Sequence, residues 1–150
     1  MKTILSCLFL LFSLPLFGQS DSTTIFKCAD RYRSISLERT IDNRYLLEGT
    51  YLGSLVRGNQ YVRGSNFSEF EGEIFALSEF NFPTGINLIL ENGVSVVFSL
   101  TSILIDLEES FLVMNSNDQA VLDDLRSIIG LTDPNDGNII ADATYCDLNF

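Results

Sequence analysis

The 150-residue chain has no histidine. Without imidazole there is no Ser-His-Asp or Cys-His arrangement and no ordinary histidine acid or base, which removes much of hydrolase chemistry. Glycine loops that cradle phosphate, of the GxxxxGK or GxGxxG type, are missing as well. Positive charge is scarce: nine Lys and Arg stand against twenty Asp and Glu, a net charge of −11. The scarcity is regional, since residues 64–150 hold one Arg against fifteen acids and residues 19–63 hold seven Lys or Arg against five. A surface of that sign repels phosphate, so nucleic acid is excluded as a partner of the second half. Cations, basic proteins and plain solubility remain compatible with it.

Long apolar runs are also lacking. A membrane helix needs roughly 20 apolar residues, and no continuous stretch of that length exists, so no transmembrane segment is expected. The longest run, Ile4 to Phe17, follows Lys2 and precedes Gly18, Gln19 and Ser20, which is the layout of a secretory signal peptide. The expectation is a leader over 1–18, with cleavage after Ser20 as the alternative, and one secreted or periplasmic β-rich domain over 19–150. Cys7 does not make a lipobox, because bulky Leu5 stands where a small residue is usual.

Of three cysteines, Cys28 and Cys146 lie beyond the leader. An even number in an exported chain predicts a disulfide between them. The alternative is two buried free thiols, since cysteine packs well as a small hydrophobe; a zinc pair is disfavoured, because zinc wants four nitrogen or sulfur ligands and imidazole is absent.

What the chain does have is β patterning. Asn92-Gly93 between Ile86–Leu90 and Val94–Phe98 predicts a hairpin with a two-residue type I′ turn. Counting outward from that turn pairs Leu90 with Ser95, Ile89 with Val96, Leu88 with Val97 and Asn87 with Phe98. Both faces would then be apolar at mid-ribbon, so the hairpin should be interior to a sheet. Strands are also expected over Thr24–Cys28, over Ser34–Ile41, over Arg44–Val56 with Tyr45, Leu47, Tyr51 and Leu55 facing the core, over Tyr61–Arg63, and over Gly72–Phe82, ended by Pro83-Thr84-Gly85. Five of the ten glycines fall between Gly49 and Gly72, which predicts a bent or bulged region. Leu100–Met114, with Ile103, Leu104, Ile105 and Leu107, reads as strands split near Glu108-Glu109-Ser110. Ile139–Cys146 reads as a final strand that the disulfide would bring beside the first.

One helix is expected near residues 117–129. Ser116 and Gln119 match a capping box, Val121, Leu122, Leu125, Ile128 and Ile129 form a stripe at helical spacing, and Gly130 suits the C′ position. The fold class is therefore α+β, mostly antiparallel β. About eight short strands would form a sandwich or barrel-like sheet, with that helix packed on it.

Candidate chemistry rests on carboxylates. Glu69, Glu71 and Glu73, at spacing two, would line one face of an extended segment with Phe70, Gly72 and Ile74 on the other. Such a row either meets a cation or a basic protein partner, or serves as a solvated face that keeps an edge from pairing. Asp133, Asn135, Asp136 and Asp142 approach the calcium-loop pattern, but Gly137 stands one place early and no glutamate ends the loop. A proline-initiated turn explains the same letters. Tyr45, Tyr51 and Tyr61, with Arg57 and Arg63 nearby in sequence, fit either a binding surface or, more commonly, a core with wet hydroxyls.

Two function classes follow. The first is a small exported non-catalytic module for binding or for envelope or surface assembly, ligand unknown. The alternative is a small carboxylate-dependent hydrolase of the glycosidase type, which would need a deep pocket with two carboxyl groups about 5 to 9 Å apart, one of raised pKa.

Overall fold

A computed structural model describes residues 22–54, 61–79, 81–102, 109–131 and 137–150. The expected leader, Leu55, Arg57, the run Ile103–Leu107, and Asp133, Asn135 and Asp136 lie outside the described residues.

The described residues form nine strands: β1 (Thr23–Ala29), β2 (Arg33–Arg39), β3 (Arg44–Ser54), β4 (Tyr61–Glu79), β5 (Phe82–Leu90), β6 (Ser95–Ser102), β7 (Ser110–Ser116), β8 (Ile139–Asp142) and β9 (Cys146–Leu148). The single helix among the described residues, α1 (Gln119–Ile128), lies between β7 and β8. The order across the sheet is β8-β7-β6-β5-β4-β3-β2-β1-β9, every pairing antiparallel. Strands adjacent in sequence are thus adjacent in space, and only β9 crosses back to pair with β1.

The fourth strand organises the sheet. It runs for 19 residues, pairing with β3 from Tyr61 to Glu71 and with β5 from Gly72 to Glu79. Two half-sheets therefore meet at the Glu71–Gly72 step. They curl face to face, so that Phe26 of β1 and Phe98 of β6 meet in a tilted contact with ring centroids 5.1 Å apart. Phe26, Leu37, Leu47, Leu88, Val96, Phe98, Leu112, Met114 and Ile140 are completely buried between them, each contributing about 1.5–3 kcal/mol of apolar burial. The curl stops short of closure, leaving β8 and β9 as edges joined by a 3-10 turn at Ala143–Tyr145.

Glycine sits where backbones nearly touch. At Gly49 of β3 an added Cβ would run into the Ile128 carbonyl and come within 2.7 Å of the Ile129 Cα, so the end of α1 lies directly on that strand. At Gly72 an added Cβ would meet the backbone of Ile89 on β5.

Several sequence expectations need correcting. The hairpin is one residue out of the expected register: Ile89 pairs with Ser95, Leu88 with Val96, Asn87 with Val97 and Ile86 with Phe98. Leu88 and Val97 are therefore on opposite faces. The loop has three residues, Glu91, Asn92 and Gly93, closed by Leu90 N–H to Val94 O (2.9 Å) and Gly93 N–H to Leu90 O (2.8 Å). Only Gly93 takes a positive φ, 81°, and the Asn92 side chain accepts from Val94 N–H (3.1 Å), a geometry that favours a type I turn with a glycine bulge over the two-residue turn.

The segments expected at Tyr61–Arg63 and Gly72–Phe82 are one strand, β4, and its turn comes at Asn81 (φ 67°) rather than at Pro83. Pro83 lies inside β5 beside the irregularity between Leu77 and Ser78, where a missing N–H is tolerated. Ile41 is 79% exposed in the β2–β3 turn and takes no part in the core. The final strand is two: β8 pairs with β7, and β9 with β1. Helix α1 is capped by Asp118, whose carboxylate accepts from the N–H groups of Ala120 (2.9 Å) and Val121 (3.2 Å). Ser116 ends β7, and its hydroxyl accepts from Asp118 N–H. The other end is as expected, with Gly130 at φ 77° and the Gly130→Ser127 and Leu131→Arg126 backbone bonds of a Schellman stop.

Cys28 and Cys146 face each other across β1 and β9 and are bonded, with an S–S distance of 2.05 Å. Such a bond points to an oxidising, extracellular compartment. Among the described residues no helix is long and apolar enough to cross a membrane.

Candidate functional site

Glu69, Glu71 and Glu73 are exposed on the outer face of β4, and the alternating Phe70, Gly72 and Ile74 are partly buried. The same outer row carries Phe67 and Phe75, 69% and 52% exposed, one at each end of the glutamates. Arg44, opposite Glu71 on β3, places its guanidinium 3.4 Å from Glu69 and 3.8 Å from Glu71. It partly neutralises those two. Glu73, two residues beyond the last β3–β4 pair, has no ion-pair partner among the described residues.

At that step the strands diverge and a groove opens. Asp42 and Asn43 from the β2–β3 turn, Glu71, Glu73 and Phe75 from β4, Ile89 and Leu90 from β5, and Glu91 from the β5–β6 loop line an open space of about 750 Å³. Four carboxylates line it together with Phe75, Ile89 and Leu90, and none of the described residues lining it carries positive charge.

Two of those carboxyls are perturbed in opposite directions. A hydrogen bond with Glu71, then repulsion from its charge, then burial push the Glu91 carboxyl above its ordinary value of 4.5. The pair meets because Gly72 faces Leu90, which makes Glu71 and Glu91 the next positions out. A hydrogen bond from the Thr40 hydroxyl, helped by a backbone amide and the nearby Arg44, holds Asp42 below its ordinary 3.8. With four acidic side chains and no basic one among its described lining residues, the groove is acidic.

A second cavity, about 650 Å³, lies on the inner side of the same part of β4. Ile25, Tyr45, Ile74, Ala76, Ile86 and Phe150 line it, and Arg39, Asn43, Glu73 and Asn149 are among its polar residues. Arg39 is engaged by the Asn43 side chain, its Nε and a terminal NH2 donating at 3.1 and 2.6 Å. A smaller cavity of about 250 Å³ occupies the seam between β1–β2 and β7–β8. Its acids have structural duties: Asp30 accepts from the N–H groups of Tyr32 and Arg33 and pairs with the Arg33 guanidinium, and Asp142 accepts from Thr144.

Asp142 belonged to the expected calcium set, but here its carboxylate caps the 3-10 turn, and that bond to Thr144 lowers its pKa. The other three members fall outside the described residues, within which no cluster of acids or cysteines has the arrangement to hold a metal. Of the tyrosines, Tyr45 is buried in the core and lines the inner cavity, and the side chain of Tyr61 is outside the described set. Asp42, Glu91 and Phe75 had no individual signal in the sequence. They join the site only because a long strand changes partners at Gly72.

The architecture defines a disulfide-stapled antiparallel meander, curled but unclosed, with an acidic groove where its two halves part. Comparison with protein-family models, with curated proteins and with solved structures finds no match.

Proposed function

We propose that this is an exported, non-catalytic binding module whose acidic groove receives a basic partner. The observation that carries the reading is the convergence of Asp42, Glu71, Glu73 and Glu91 around exposed Phe75 with no lining cation among the described residues. Solvated acids on an ordinary surface repel one another and spread out. Here one strand and two turns hold them together beside Phe75, Ile89 and Leu90, which suits an ammonium or guanidinium carried on an apolar stem.

The alternative, a carboxylate-dependent hydrolase, draws on the raised pKa of Glu91 beside Glu71. Its geometry is less apt, since glycosidase carboxyls stand roughly 5 to 9.5 Å apart so that a sugar or water fits between them, whereas Glu71 and Glu91 lie close enough for each to perturb the other directly. Incubation with aryl glycosides across pH 4 to 8 tests it, and no release above the Glu91→Gln background is expected.

The binding reading is tested by calorimetric titration of a capped tetralysine peptide at low and physiological salt. Glu71→Gln with Glu73→Gln should weaken binding about tenfold or more, as two charge-assisted contacts imply. Asp123→Asn with Asp124→Asn, on the exposed side of α1, should change it little. Equal loss in both pairs would reduce the effect to net charge and end the proposal.

A further inference from the structure

Among the described residues, one stretch of β4 has no strand paired with it on one side. Its pairing with β3 stops at Glu71 and its pairing with β5 begins at Gly72. Leu90 turns its N–H toward β6, where it donates to Val94. Backbone groups alternate in direction along a strand, so Ile89 and Asn87 turn theirs toward β4, and Glu73 and Phe75 are the residues that bond to them. Gly72, Ile74 and Ala76 consequently present N–H and C=O to the opposite edge. Among the described residues no strand pairs with them there, and no other backbone hydrogen bond reaches them.

Burial agrees with an open edge. Ile74 and Ala76 share the inner face with their partners Leu88 and Ile86, which are buried to 0% and 2%. Yet Ile74 is only half-buried and Ala76 is exposed. The edge also has an open space on each face, the acidic groove outside and the mixed cavity inside, and Gly72 and Glu73 line both.

We propose that the free edge of β4 from Gly72 to Ala76 is a strand-addition site for an extended peptide segment in which basic and apolar residues alternate. This deepens the acidic-groove reading and rests on it. Main-chain hydrogen bonds to Gly72, Ile74 and Ala76 supply the attachment, and alternate side chains supply the selectivity. A strand sends successive side chains to opposite faces. Every second residue of the segment therefore meets Glu71, Glu73 and the face of Phe75, and the residues between enter the cavity beside Ile25, Tyr45 and Ile86. A second copy of this chain is a poor occupant, since pairing the same edge with itself sets glutamate against glutamate.

The probe is a capped seven-residue peptide of alternating lysine and valine, titrated calorimetrically into the disulfide-bonded protein. Three comparisons decide the matter: the same peptide N-methylated at every second backbone nitrogen, the same peptide with glutamate for lysine, and the variant Ala76→Pro. That proline deletes an N–H aimed at the free edge and leaves the bonds to β5 in place. Expected are saturable binding of the parent peptide, at least a tenfold loss on N-methylation in one of the two possible phases, a similar loss in Ala76→Pro, and no binding of the glutamate peptide. If both N-methylated phases bind as tightly as the parent, strand addition is overturned and the acidic groove stands. If no lysine peptide binds, both readings fall. If the glutamate peptide binds equally, the proposed charge selectivity is refuted. Should Ala76→Pro not fold, the N-methylated peptides still decide.

Discussion

Removing the disulfide is the most quantitative perturbation the fold offers. Cys28 and Cys146 are 118 residues apart in sequence, so the bond closes almost the whole folded chain into one loop. Loop-closure entropy for such a ring amounts to about 5 kcal/mol at 25 °C, an upper value because strain and residual denatured structure subtract from it. The double variant Cys28→Ala with Cys146→Ala loses that constraint without burying a hydroxyl at Cys28, which is only 3% exposed. What then holds β9 is three paired positions on β1, with Asn149 adding N–H to Ile25 O (2.9 Å) and side-chain NH2 to Thr24 O (3.0 Å). Neutral hydrogen bonds contribute about 1 kcal/mol net each, so the strand should stay docked in a weakened domain. At roughly 3 °C per kcal/mol for a chain of this size, the melting temperature should fall by about 15 °C. Urea melts followed by circular dichroism should show the same loss with a larger m-value, since the uncrosslinked denatured chain exposes more surface. Reduced wild type should reproduce the variant. A double variant within about 1 kcal/mol of wild type, with an unchanged m-value, would refute the reasoning.

Asp118→Ala should cost about 1 kcal/mol in urea melts and Ser116→Ala clearly less, because Asp118 alone bonds the first-turn amides; the reverse order would restore a serine cap. Gly49→Ala should destabilise by about 1–3 kcal/mol as an overpacking change, because its Cβ meets helix backbone rather than a movable side chain, and a neutral result would mean α1 sits farther from β3. The raised pKa of Glu91 sets a sign for pH: its protonated form is favoured in the folded state, so its contribution is complete below the ordinary value near 4.5 and is lost as pH rises through the raised one. Wild-type stability should therefore decline relative to Glu91→Gln between pH 4 and 7, and a rise over that interval would contradict the Glu71–Glu91 bond.

Strand content, the interior hairpin and the helix were legible because each rests on local pattern. Register was not, because Asn92-Gly93 fits both a two-residue turn and the last two places of a three-residue loop, and one residue of slip moves every side chain to the other face. A finer signal was present. The observed pairing sets Asn87, Ser95 and Ser99 on one face and Ile86, Leu88, Val96 and Phe98 on the other, whereas the expected one set Asn87 against Phe98. The helix start was misplaced for a similar reason, since Ser116 and Asp118 are both good caps and only the end of β7 decides between them. The acidic groove was half visible: Glu69, Glu71 and Glu73 alternate in the sequence, but Asp42 and Glu91 sit in separate turns and meet them only through pairing.

The sheet order also bears on how the chain assembles as it is made. From β1 to β7 each new strand finds its partner in the strand just finished, so pairing can follow synthesis step by step with short loops to close and little opportunity for mispairing. The last three-residue strand is different, because its partner is the first strand of all. Until Cys146 arrives, β1 is an uncovered edge bearing a free thiol at Cys28. Oxidation is thus the closing event, and a chain stalled before it would keep β1 as an exposed edge able to join a neighbour.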